Sequence, residues 1–134
     1  MVRDMDMIRS IMLVLRTINS GPSSAHVANQ ICGESVCGDE YDLPDHRMLV
    51  YKHIVLMVQA GLVSGIETGT AGNRYDYYEL ELTWAGHDFI DSVVNYSVWK
   101  QVKNVISDSS LKAAAFSVWA RIASDVVGRS LGLN

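Results

Sequence analysis

Cysteine is nearly missing from this chain. Cys32 and Cys37 are the only two in 134 residues, too few for the disulfide framework that holds small secreted domains together. Reduced thiols and a cytoplasmic location are therefore expected. Proline is just as scarce, with Pro22 and Pro44 alone, which excludes a proline-rich linker or stalk. No apolar run approaches the roughly 18 residues of a membrane-spanning helix, and the first one, Ile11 to Leu15, is too short and too close to Asp4 and Asp6 for a signal peptide. No membrane partner is expected. Positive charge is also in deficit: 11 Lys plus Arg against 15 Asp plus Glu leave a net charge of -4. No global field draws the chain toward nucleic acid, so any DNA contact needs a local patch.

Signatures of chemistry are lacking too. Gly65, Gly69 and Gly72 are not followed by the Lys-Ser/Thr ending of a phosphate loop. No nucleophile elbow occurs, and Asp88 and Asp91, three apart on a helix, read as solvated surface rather than as an acid-base pair. Cys32 and Cys37 are five apart, wider than the usual structural zinc pair, even with His26 and His46 as added ligands. His46 and His53 would lie about 10.5 Å apart along a helix axis and cannot share an ion. The expectation is no enzyme, no cofactor and no metal. His53 and His87 are expected to make fixed hydrogen bonds near the core.

What the chain does have is apolar content, 49% against 19% charged, arranged at helical spacing. Met5, Ile8, Met12, Leu15 and Ile18 line one face of a first helix that ends at Asn19-Ser-Gly-Pro22. Ser23 or Ser24 caps a short second helix closed by Gly33. Residues 33–44 read as an acidic surface loop, with Asp45 capping a third helix, His46 to Ala60, that stops at Gly61. Leu62 to Ile66 and Tyr75 to Leu82 read as a hairpin around a glycine-rich tip. Thr83 caps a fourth helix, interrupted at Asn95 to Ser97, and a last helix runs from Leu111 to Leu131, ending at Gly132. The predicted fold is mainly α with a small β-hairpin: a winged helix-turn-helix over residues 1–94 and a C-terminal helical extension over 95–134.

Three blocks carry a resemblance. Tyr51-Lys-His-Ile-Val-Leu-Met-Val-Gln-Ala-Gly-Leu-Val63 looks like the helix-to-strand joint of bacterial winged-helix regulators. With Arg3-Asp-Met-Asp-Met-Ile-Arg9 before it and Leu82-Thr-Trp-Ala-Gly-His-Asp-Phe-Ile-Asp91 after it, and with the following Val98-Trp-Lys100, the chain resembles the domain-of-unknown-function family 2513. That resemblance implies a small bacterial or phage-associated protein with a winged-helix core, and transfers no activity. Positions 55 and 58, often charged in such joints, are both Val here.

Two functions follow as expectations. The leading one is a DNA-binding transcriptional regulator, reading DNA through His46, Arg47, Tyr51 and Lys52 on the third helix and Arg74 on the wing. The alternative is a protein-interaction module, such as a phage-encoded inhibitor of a host defence complex. Its third helix is apolar nearly all round, and Asp39, Glu40 and Asp42 in the acidic loop would meet a basic host protein. In either case a homodimer is expected through the trailing helices, with Trp99, Phe116, Trp119, Ile122 and Val126 at the subunit contact.

Overall fold

In the computed structural model the described residues are 2–33, 43–67, 76–108 and 115–132. Among the described residues, six helices and one two-stranded antiparallel sheet follow one another as α1 (Met5–Thr17), α2 (Ser24–Cys32), α3 (Leu43–Gln59), β1 (Val63–Glu67), β2 (Tyr77–Leu82), α4 (Trp84–Val93), α5 (Tyr96–Asp108) and α6 (Phe116–Ser130). The fold is mainly α with a small hairpin, and three helices followed by a hairpin form a winged-helix arrangement. By internal packing the chain divides at 87/88, inside α4, into a unit of residues 1–87 and a second of residues 88–134. The sequence had suggested a division at 94/95, in the loop after α4.

The first unit is built on α1. Asp4 begins it by accepting the backbone N–H groups of Asp6 and Met7 on its carboxylate, which satisfies two donors that a helix start leaves unpaired. Met5, Ile8, Ile11, Met12 and Leu15 then form one buried stripe. Against it pack Val27 and Ala28 of α2, Val50, Ile54 and Met57 of α3, and Leu80 of β2. Fully burying each large side chain contributes about 1.5–3 kcal/mol, so this shared core, rather than any single contact, sets the helix order.

Two local differences from the sequence reading have simple causes. The third helix begins at Leu43 rather than His46. Residues 43 and 44 read from sequence as the end of the acidic loop, yet a proline suits the first turn of a helix, where its missing N–H would have had no partner. Serine roles also divide. Ser23 caps α2 through the His26 N–H, while Ser24 is fully buried and its hydroxyl oxygen accepts the Tyr77 N–H at 3.1 Å.

The joint between α3 and β1 follows the expected physics. Gly61 adopts φ +76°, and the Leu62 N–H returns to the Met57 carbonyl at 2.9 Å, the bond that closes a helix through a left-handed residue. Leu62 is buried beneath. β1 and β2 pair Val63 with Leu82, Ser64 with Glu81, Ile66 with Tyr78 and Glu67 with Tyr77, with a bulge opposite Gly65. On the bulged strand Glu79 takes φ +52°. On its other edge, β2 donates the Leu80 N–H to the Pro22 carbonyl at 3.0 Å. The turn between α1 and α2 thus acts as a one-bond third strand.

In the second unit Asn95 separates α4 from α5, accepting the Ser97 N–H at 2.8 Å. Its aromatic core is compact. Phe89 meets Trp99 edge-on at 6.4 Å and Phe116 at 4.8 Å, and Trp99 stacks on Trp119 at 5.4 Å. Val102, Ile106, Ala123 and Val126 are buried as well. The last helix starts at Phe116, and Leu111, its expected first residue, lies outside the described residues. Among the described residues no helix is long and apolar enough to cross a membrane.

Candidate interaction surface

The residues proposed to read DNA are not equivalent in the structure. His46 is exposed near the start of α3, whereas Arg47, Tyr51 and Lys52 are half-buried. Arg47 turns inward: its guanidinium donates to Asn29 Oδ1 at 2.7 Å and to the Ala25 carbonyl at 3.4 Å, and lies 5.7 Å from the centre of the Tyr51 ring. It locks α2 to α3. A guanidinium already bonded to an amide oxygen and a carbonyl has fewer donors left, and less freedom, to reach a phosphate. Arg74 lies outside the described residues, as do Asp39, Glu40 and Asp42.

The side of α3 opposite the core is defined by helical spacing. With Val50, Ile54 and Met57 buried, the outward stripe is Met48, Lys52, Val55 and Gln59, flanked by Leu49 and Leu56. Met48 and Leu49 are exposed, and Val55 and Leu56 are half-buried. The outward stripe therefore carries one cation and one amide, Lys52 and Gln59, and with its flanks four apolar side chains, where a DNA-reading helix presents mostly donors.

The wing adds no positive charge among its described residues. β1 is Val-Ser-Gly-Ile-Glu and β2 is Tyr-Tyr-Glu-Leu-Glu-Leu. Glu67, Glu79 and Glu81 are exposed. Beside β2 a cavity of about 220 Å³ is lined by Leu15, Ile18, Leu80 and Leu82 together with Arg16, Asn19, Glu81 and His87; its mixed charges select neither anions nor cations.

His53 makes the fixed hydrogen bonds expected of it. It is buried, accepts the Asp4 N–H on Nε2 at 2.9 Å and donates from Nδ1 to the Leu49 carbonyl at 2.7 Å. An acceptor at Nε2 requires the tautomer with its proton on Nδ1. His87, by contrast, is exposed. Among the described residues no three His, Cys, Asp or Glu side chains gather as a metal site; Cys32 is half-buried, and Cys37 lies outside the described residues.

Of the residues expected at a subunit contact, Trp99, Trp119 and Val126 are buried within the single chain, and Phe116 and Ile122 are half-buried. The stripe that suggested a partner subunit is largely consumed by the α5 and α6 packing of one chain. Sequence reasoning missed the Arg47–Asn29 bond, which no spacing rule reveals. It also missed the exposed pairing of Ile66 with Tyr78, which the alternation of the two strands would have shown had the bulge been placed.

These features define a winged-helix protein whose third helix is apolar outward and whose wing strands are acidic. Comparison with known sequences places it more narrowly. The chain belongs to the hypothetical-protein family DUF2513, whose model matches residues 2–112. It is also similar to an uncharacterised protein of Haemophilus influenzae, 27% identical over 131 residues, covering 98% of this chain and 99% of that one. No solved structure matches.

Proposed function

We propose that this protein is a cytoplasmic winged-helix interaction module that binds another protein through the outward face of α3, rather than a DNA-reading regulator. The observation that carries this reading is the outward face of α3: Met48 and Val55, flanked by Leu49 and Leu56, outnumber its two polar side chains, Lys52 and Gln59. Apolar side chains on a presented helix gain from burial against a protein groove, about 25 cal/mol per Å² removed from water. They gain nothing from phosphates. The inward turn of Arg47 and the carboxylates of β1 and β2 favour the same side, because a duplex repels carboxylates and rewards each cation it contacts.

The test combines two measurements on the full chain. Photo-crosslinking from position 55, with position 121 as a control, identifies a protein partner in a bacterial lysate, and the purified partner is then titrated. Binding that Leu49→Glu weakens at least tenfold is expected. Titration with random and enriched duplex DNA at two salt concentrations is expected to give no specific binding. Salt-sensitive, sequence-selective DNA binding that Lys52→Ala weakens would overturn the proposal.

A further inference from the structure

The outer face of the hairpin carries side chains that the fold does not require. Residues directly opposite across an antiparallel pair share a face, so the register joins Ile66 to Tyr78 and Ser64 to Glu81. The adjoining pair, Val63 with Leu82, is buried, and alternation turns the other two pairs toward solvent. Ile66 is 57% and Tyr78 51% exposed. An isoleucine and a tyrosine thus stand together in water, with Glu81 next along β2 on the same face and the exposed Glu79 at the bulge between Tyr78 and Glu81.

We infer that this face binds an arginine-bearing segment of a protein partner, with the guanidinium stacked on Tyr78 and bonded to Glu81. The chemistry selects that occupant. A guanidinium is planar and weakly hydrated, so it stacks on a tyrosine ring where a compact, strongly hydrated ammonium does not. Its fork of donors matches a carboxylate. Its three-carbon stem covers an apolar side chain while the charge stays in water, which is the role open to Ile66. Nucleic acid and acidic peptides are disfavoured by Glu81 and the neighbouring Glu79. The face is also held in place before binding. β2 is fixed from its far edge by the Pro22 carbonyl and the Ser24 hydroxyl, and the bulge at Glu79 bends the strand there. Less conformational freedom is then lost when a ligand arrives.

This inference rests on the interaction reading above for the nature of the partner, but not on the α3 face. The probe is a ten-residue peptide containing two arginines, with versions in which citrulline or lysine replaces them. Each is titrated into the full chain while the Ile66 methyl and Tyr78 ring resonances are followed. The arginine peptide is expected to shift both signals saturably, the lysine peptide to bind roughly fivefold more weakly, and the citrulline peptide not to bind. Tyr78→Ser weakens binding by about the same factor. Glu81→Lys abolishes it, at an exposed position where folding is not at stake. Val55→Glu leaves peptide binding intact, so loss of the α3 reading and loss of this one are separate results. Absence of saturable shifts at Ile66 and Tyr78, or equal binding of the citrulline peptide, would overturn the inference.

Discussion

Two single positions show how closely the backbone of the first unit is fitted. Gly86, in the first turns of α4, lies so near the Leu62 backbone that a Cβ would overlap its carbonyl oxygen. Backbone cannot move aside as a flexible side chain can, so Gly86→Ala should cost at least about 2 kcal/mol, read as a lower urea midpoint at unchanged slope. Glu79 presents the opposite case. It holds φ +52°, a conformation costing a side-chain-bearing residue roughly 1–2 kcal/mol, and it is exposed. Glu79→Gly should therefore leave stability unchanged or raise it by up to about 1 kcal/mol, measured in the same titration. Gly21→Ala should do the reverse, since Gly21 has φ +62° and its Cβ would stand 3.3 Å from the Glu79 Cα.

Elements end where side chains supply the missing partners. Thr83 links two of them: its hydroxyl donates to the Gly61 carbonyl at 2.6 Å and accepts the Gly86 N–H at 3.1 Å, so the stop of α3 and the start of α4 share one residue. Asn95 does the same work alone for α5. Asn95→Ala should lower stability by about 1 kcal/mol, with the loss in helical circular dichroism appearing in the second unit. Such caps were legible in the sequence because they are local. Ser23, Thr83, Gly61 and Gly132 could each be read from three or four neighbouring residues, and so could the apolar stripes of α1 and α6. The start of α3 was misjudged because Pro44 suits both an extended segment and a first helical turn. Arg47 was misjudged because its partners, Asn29 and Ala25, sit on another helix, and sequence spacing carries no information about contacts of that range. A donor on a presented helix looks the same whether it faces solvent or a neighbouring amide.

At the scale of the whole molecule, each unit keeps its own core. In the second, Trp99 is completely buried and stacked on Trp119, and truncation of a buried aromatic costs about 3–5 kcal/mol. Trp119→Glu should therefore unfold α5 and α6 rather than merely separate subunits; loss of tryptophan near-ultraviolet dichroism together with helical signal is the expected readout. The first unit holds together through the apolar core shared by α1, α2, α3 and β2, and its wing is tied at one edge by the bond from the Leu80 amide to the Pro22 carbonyl. That bond ties the wing to the turn between α1 and α2, so the inner strand cannot fray outward from its tip past Leu80 without disturbing the helical core. In deuterated solvent the Leu80 amide should exchange at the rate of global opening of this unit, while β1 exchanges through local fluctuations. The outer strand then breathes while the inner one is clamped, and the hairpin behaves mechanically as a leaf hinged along one edge.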